Sequence, residues 1–363
     1  MTVIKGQQAK YLIKSLQHHP SPYLIYDKNS GIEWINNSAE YVFDTKDLSD
    51  ISLASLASHV KTKKIQEIAS SFQLDLEMTL RKIKFFLRSR VHEIPFDKDS
   101  SFFLIEVLAK SEDALDALKE TIACLEYNRI DMAYQRQYDL ETGKILGVES
   151  LLRLKDESGN IIPNDRLIPL VEGESLFSLV VLASLTKLKE IFLYKREENL
   201  QDFTVFLNVS AYTVMQDNFC KIILDFVKEN EIKPGELGLE ITETAELEDR
   251  AKAAEYFEKL KDEGIPLALD DFGAGYSSLS YLRDLPITLV KLDKAFSATV
   301  NEQDTQELVR FVVSICKNMK LNMLAEGIET LEQENTFKDL GCPRGQGYYH
   351  HRPQFLEDFK EGF

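Results

Sequence analysis

From about residue 130 to its end, the chain alternates short apolar runs with segments of helical periodicity. The runs are "GKILGVESLLRL", "DFTVFLNVS", "GELGLEITE", "IPLALDD", "ITLVKLD", "LNMLAEG" and "GQGYYH". Between them lie "DNFCKIILDFVKEN", "RAKAAEYFEKLKDEG" and "TQELVRFVVSICKNM", patterned as helices. Such alternation predicts a mainly parallel sheet covered by helices. Seven units in roughly 240 residues match a closed eight-fold α/β barrel, a (β/α)8 TIM-like fold. An open doubly wound sheet is the alternative, but the Gly-x-Gly-x-x-Gly turn that would follow its first strand is missing.

The ends of the runs carry the chemistry. The first run reaches Glu149, the second ends at Asn208, and the third carries Glu240, with Glu243 three residues on. The fourth ends at the adjacent pair Asp270 and Asp271, the fifth at Lys291 and Asp293, the sixth at Glu326 and Glu329, and the last includes Gln346. In a parallel barrel these ends meet on one rim, where active sites lie. One acidic strand end is an ordinary solvated charge. Five or more at one rim repel, and one would take up a proton unless a cation sits among them. Divalent cations are therefore expected.

The donors are carboxylates and the Asn208 amide, a hard-oxygen set that suits Mg2+ or Mn2+ rather than Zn2+. Two such ions about 4 Å apart clamp a phosphoryl oxygen and acidify a bound water, as in phosphodiester hydrolysis. Lys291 and Arg153 add positive charge toward a phosphate.

A net charge of −17, from 43 basic and 60 acidic residues, speaks against binding to nucleic-acid polymers or anionic membranes. A small anionic ligand stays possible because bound cations reverse the local sign. Cys124, Cys220, Cys316 and Cys342 are far apart, which fits free thiols in a reducing cytoplasm. The start "MTVIKGQQAKYLIKSLQHHP" lacks a signal-peptide core, and no apolar run reaches spanning length. A cytosolic protein without membrane insertion is expected.

Residues 1–115 read differently. A short amphipathic helix over about residues 7–17 precedes "SPYLIYDKNSGIEWINNSAEYVF", which reads as strand, turn, strand and a helix capped within Asn36 to Ser38. "LEMTLRKIKFFLRSRVHEIP" and "SSFFLIEVLAK" fit paired antiparallel strands. This order, with the stretch Asp27 to Glu40, resembles a PAS domain, a small sensory module. His18, His19, His59 and His92 lack a haem-identifying spacing, and no cysteine has a flavin-reactive context, so its ligand is unassigned. A helical linker over residues 111–128 leads into the second domain, which spans residues 116–363.

That second domain resembles the EAL-domain cyclic di-GMP phosphodiesterases over about residues 119–360. The resemblance is carried by "ESLLRL", "LNVS", "EITE", "DDFGAGYSSLSYLRDLP", "KLD", "AEGIET" and "QGYYHHRP". It implies that Glu149, Asn208, Glu240 and Asp270 bind one metal, and that Asp270, Asp271 and Glu326 serve a second. Lys291 is implied to orient the attacking water or the phosphate, and Glu326 is the family's candidate general base, the alternative being that a water held between two metals needs none. Gln135, Leu151, Arg153 and Gln346 match positions that hold the dinucleotide. Glu243 anchors the loop after Asp271, and Glu329 has a supporting role.

The implied reaction is hydrolysis of cyclic di-GMP to linear pGpG by a homodimer, with a catalytically weak cyclic di-GMP receptor as the alternative. No cyclase signature accompanies the barrel. Three departures stand out: Ser150 in place of alanine, Ala274 in place of threonine, and Arg136 in place of proline. The last is expected to shift the ligand-facing edge. His350 and His351 are expected at the rim, in packing roles rather than as metal ligands.

Overall fold

The computed structural model describes residue 17 and residues 22–27, 31–43, 51–53, 71–80, 83–95, 101–107, 112–164, 167–168, 175–200, 203–216, 219–242, 249–273 and 278–360. Spatial grouping divides the chain into residues 1–130 with 154–180, and residues 131–153 with 181–363. The expected helix over residues 7–17 lies outside the described residues except at its end.

In the first unit, strands β1 (Tyr23–Asp27) and β2 (Gly31–Ile35) form a hairpin, followed by helix α1 (Asn37–Phe43). Asn36 starts that helix: its fully buried side-chain oxygen accepts from the N–H groups of Ala39 and Tyr23 at 3.0 and 2.9 Å. Strands β3 (Ile51–Leu53), β4 (Ser71–Leu80), β5 (Ile83–Pro95) and β6 (Ser101–Val107) complete an antiparallel sheet of order β2-β1-β6-β5-β4-β3. Leu24, Ile25, Ile35, Ala39, Val42, Phe43 and Ile105 are buried. Helix α2 (Glu112–Glu126) buries Ala117, Thr121, Ile122 and Cys124, and Leu125 is half-exposed.

The second unit holds the barrel. Its strands are β7 (Ile130–Asp139), β8 (Ile145–Lys155), β10 (Thr204–Asn208), β11 (Leu237–Thr242), β12 (Leu267–Phe272), β13 (Leu289–Leu292), β14 (Asn322–Ala325) and β15 (Arg344–Gly345). A short β9 (Ile161–Ile162) pairs with the end of β8. From β8 to β15 the neighbours run parallel, and pairing of β7 with both β15 and β8 closes the ring. The expected barrel is present with one difference: β7 is antiparallel to β15. The reason is the connection. Residues 140–144 make only a tight turn, closed by Asp139 N–H to Lys144 O at 2.8 Å, whereas parallel neighbours need a crossover of about a dozen residues.

The covering helices follow their sequence signals. Helix α6 (Arg250–Asp262) is capped by Asp249, and α10 (Leu331–Leu340) carries a Thr330–Gln333 capping box and ends on Gly341 at φ 87°. The others in chain order are α3 (Ser175–Glu197), α4 (Ala211–Val214), α5 (Phe219–Glu229), α7 (Ser278–Asp284), α8 (Lys294–Thr299), α9 (Gln303–Met319) and the terminal α11 (Leu356–Lys360). Among the described residues, no helix is long and apolar enough to cross a membrane.

One core layer fixes where the chemistry stands. Phe206, Ala268, Leu289 and Leu324 form a buried cluster from β10, β12, β13 and β14. A Cβ on Gly238 of β11 would press into the Phe206 ring, and one on Gly147 of β8 would run into the Gln137 side chain and then crowd Phe206. Residues two apart on a strand share a face. Two positions beyond Gly147, Phe206, Gly238, Ala268, Leu289 and Leu324 stand Glu149, Asn208, Glu240, Asp270, Lys291 and Glu326. The apolar layer is the floor, and the polar set is the next layer above it.

Candidate metal centre

Lys291 stands at the middle of that polar layer with no exposed surface. Its Nζ lies 2.8 Å from Glu240 Oε2, 2.8 Å from Glu326 Oε1, 2.9 Å from Asp270 Oδ1 and 3.3 Å from Glu149 Oε2. Around Glu149, the Asn208 amide donates to Oε1 at 3.2 Å and the Gln346 amide to Oε2 at 2.5 Å. Gln346 also donates to Gln135 Oε1 at 3.0 Å, and Gln135 donates to the His351 carbonyl at 3.0 Å. Glu149 is thus held by amides on one side and an ammonium on the other.

The Asp270–Asp271 doublet needs a local distortion to work as a unit. Successive strand residues point to opposite faces. Here the β12–β13 register shifts between Leu269 and Phe272, and Asp271 adopts φ 55°, a left-handed conformation rare outside glycine. The bulge turns both carboxylates to one side. Oxygens of Asp270, Asp271 and Glu326 lie within 4.8 Å of one another, as do those of Glu149, Glu240 and Asp270. Asp270 belongs to both groups.

Five carboxylates around one ammonium leave negative charge in excess, and the ionisation of each group reflects it. Burial alone would lower Lys291, but Asp270, Glu149, Glu240 and Glu326 hold it well above the usual lysine range. Burial pushes Glu240 to about 8, with Glu149 and Asp270 adding to the rise against the pull of Lys291. Asp271 is pushed to about 6 by burial, then by Asp270 and Asp293. Burial also raises Asp270 and carries Glu326 well above the carboxylate range. Glu149 is the exception: burial raises it, but Lys291, Gln346 and Asn208 together hold it below its ordinary value.

A divalent cation fits this arrangement. The donors are oxygens only, and Glu240 Oε1 is buried without a hydrogen-bond partner. Asp270 Oδ1 is near the Lys291 ammonium but out of line for a hydrogen bond. Two acidic clusters able to hold metal thus sit in the barrel mouth.

Glu149 is mid-strand rather than at an end, because β8 continues to Lys155. Leu151 and Arg153 share its face and are half-buried. Gln346 follows the last strand instead of lying in it, since β15 ends at Gly345. Asp293 lies just beyond β13 and caps α8 through the Ala295 N–H. Glu329 is exposed, and its backbone N–H bonds to Gln333. Glu243 and Ala274 lie outside the described residues. Ser150 donates to the Phe206 carbonyl and takes no part in the cluster.

Arg136 does not line the ligand-facing edge. It is buried, donates to the Phe359 carbonyl at 2.8 Å and lies 4.7 Å over the Phe359 ring, tying β7 to α11. His350 Nε2 lies 2.8 Å from Glu334 Oε2 and its ring stacks on Tyr138, and His351 meets Phe359 edge-on. These are packing roles at the rim.

The Arg136 contact has a measurable consequence. Arg136→Ala removes a buried hydrogen bond to the Phe359 carbonyl and the packing over its ring, so it should cost about 1–3 kcal/mol in denaturant unfolding. An unchanged midpoint would refute the tie.

The sequence reading missed that one lysine touches four carboxylates. Its signal was present: a lysine inside the apolar run "ITLVKLD" must be paired if that strand is buried.

Comparison with known proteins supplies an independent finding. A family model described as EAL domain matches residues 115–353. The probable cyclic di-GMP phosphodiesterase PdeB of Escherichia coli (strain K12) is 29% identical over 261 residues, 72% of this chain and 49% of that protein. The cyclic di-GMP phosphodiesterase PA2567 of Pseudomonas aeruginosa is 30% identical over 233 residues, 63% of this chain and 39% of that protein. The chain thus spans about half or less of these relatives' length. Among solved structures, the PaMucR phosphodiesterase in complex with c-di-GMP aligns at a TM-score of 0.61 and 28% identity, covering 67% of this chain and 99% of that one. An EAL domain protein from Listeria monocytogenes EGD-e aligns at 0.59 and 30% identity, covering 67% and 96%.

Proposed function

The chain belongs to the EAL domain family, and on that footing we propose that it hydrolyses one phosphodiester bond of cyclic di-GMP to give linear pGpG. The observation that carries this reading is the pair of carboxylate groups sharing Asp270 at the mouth of the barrel.

Glu149, Asn208, Glu240 and Asp270 would hold one Mg2+ or Mn2+ ion, and Asp270, Asp271 and Glu326 the second. Bound there, such ions supply Lewis acidity toward phosphoryl oxygens and a water of lowered pKa. Glu326 would also accept a proton at its carboxylate, the role that the family resemblance implies for it. Lys291 keeps the carboxylates facing inward and supplies positive charge toward the phosphate. Gln346, backed by Gln135, fixes the Glu149 carboxylate. Leu151 and Arg153 continue its face toward the dinucleotide, and the Arg153 guanidinium is a partner for a phosphate oxygen.

Residues 1–115 are proposed as a PAS-like sensory domain controlling the barrel of residues 116–363. The strand, turn, strand and helix of β1, β2 and α1 support that reading. A homodimer in the cytoplasm is the assembly in keeping with the family resemblance.

The test is purified protein with Mn2+ or Mg2+ and cyclic di-GMP. The expected result is turnover to pGpG that a chelator abolishes. Binding without turnover would make the chain a receptor, and neither would remove the dinucleotide from the account.

A further inference from the structure

The short helix α8 braces both outer carboxylates of the second acidic group from behind. On the Asp271 side, the Asp293 N–H bonds to the Phe272 carbonyl at 3.3 Å, and a Cβ on Gly273 would press into the Phe296 ring. On the Glu326 side, a Cβ on Gly327 would run into Lys294, so the chain leaving β14 lies against the start of α8. Glu326 is held at both main-chain groups: its N–H bonds to the Leu292 carbonyl at 3.2 Å, and its carbonyl accepts from the Ser297 hydroxyl.

Ser297 is fully buried, and a buried hydroxyl must find a partner. Inside a helix the usual one is the carbonyl four residues back. Thr299 of the same helix does this, donating to Ala295 at 3.3 Å. Ser297 instead bonds out of its helix to the residue that carries a metal-site carboxylate. Its own carbonyl accepts from the Gln333 amide at 2.8 Å, and the Gln333 oxygen accepts from the Glu329 and Thr330 N–H groups at 2.8 and 3.0 Å. Glu326, Ser297, Gln333 and the Glu329–Thr330 turn thus form a closed ring of hydrogen bonds.

The two acidic groups are therefore ordered differently. Amides of Asn208 and Gln346 touch the Glu149 carboxylate itself. The Glu326 carboxylate meets the Lys291 ammonium at 2.8 Å, while the ring behind it fixes the backbone from which it projects. We propose that Ser297, locked by Gln333, is a positioning residue for the second divalent-cation site, fixing Glu326 so that its carboxylate faces Asp270 and Asp271. This rests on the assignment of two cation sites above.

The experiment titrates Mn2+ into the full chain as wild type, Ser297→Ala, Ser297→Thr and Ser297→Val, with free Mn2+ read by electron paramagnetic resonance. Thermal midpoints in chelator and cleavage of cyclic di-GMP are measured alongside. Ser297→Ala should weaken one of two Mn2+ sites by about 10–100-fold, the usual cost of losing a hydrogen-bond partner behind a metal ligand, and leave the other within about twofold. Threonine and valine match in volume and differ in the hydroxyl, so Ser297→Thr should hold the affected Mn2+ at least about tenfold more tightly than Ser297→Val. A merely structural serine would lower the midpoint and disturb both sites alike. Wild-type affinity at both sites in Ser297→Ala, or equal affinities in the threonine and valine variants, overturns the positioning role. The binding arm does not use the dinucleotide, so a wild type that takes two Mn2+ but leaves cyclic di-GMP intact overturns the hydrolase reading, and the variant affinities still decide the role of Ser297. A wild type that binds fewer than two Mn2+ overturns both.

Discussion

Replacing Lys291 with methionine is expected to lower the unfolding free energy of the cation-free protein by about 3–5 kcal/mol, the usual cost of removing one partner from a buried ion pair. The side chain is fully buried and its ammonium faces four carboxylates. Methionine keeps the volume but leaves those oxygens with no counter-charge. The loss depends on pH. A carboxyl whose folded pKa is raised stabilises the fold below its unfolded value and loses that contribution as pH rises through the folded one. Burial and neighbouring carboxylates raise Asp271 to about 6 and Glu240 to about 8. The cation-free wild type should therefore weaken as pH rises from the ordinary carboxylate range, with the Asp271 contribution gone above pH 6 and the Glu240 contribution lost up to pH 8.

Lys291 itself stays charged throughout that window. The variant should therefore lose most at pH 8, and Mn2+ should recover more stability there than at pH 6. Chemical denaturation with chelator and with Mn2+ at both pH values reads all four quantities. A Lys291→Met protein as stable as wild type in chelator at pH 8 would mean that the carboxylates are not ionised together in the fold.

Glu149→Ala should have the opposite profile: large in rate and small in stability. Glu149 contributes oxygens to the first carboxylate group and is the one member held ionised by its neighbours. Loss of a hydrogen-bond partner behind a metal ligand typically costs about 10–100-fold in affinity or activity, so loss of a ligand itself should cost more than about a hundredfold in kcat/KM. Stability should hold or rise, because removing one negative charge relieves Glu240 and Asp270, both of which Glu149 pushes upward. The pairing of lost turnover with retained stability separates a ligand from a packing residue. Unchanged rate and Mn2+ affinity would show that the ions, if bound, sit elsewhere.

Much of the barrel and its site can be read from the chain because both depend on period-two patterning. Each of six strands repeats one instruction: an apolar or small residue for the floor, then, two residues later, a polar one for the site. Phe206 then Asn208, and Leu289 then Lys291, are instances. Features that depend on backbone departures were not legible. Nothing in "DDF" announces the left-handed Asp271 and the bulge that bring two adjacent carboxylates to one side.

The reversal of β7 was written in a short turn, but strand–helix alternation over the rest of the chain outweighed it. Arg136 was legible as a substitution and not as a contact. Its partner, Phe359, lies more than two hundred residues away, and no local rule joins them.

The proposed activity depends on oxygens from separate strands gathering divalent ions. Anomalous diffraction from crystals soaked in Mn2+ addresses this most directly. The predicted result is two peaks, one among Glu149, Asn208, Glu240 and Asp270, the other among Asp270, Asp271 and Glu326. A map with no peak among these residues, and Lys291 alone still bridging the four carboxylates, would contradict it.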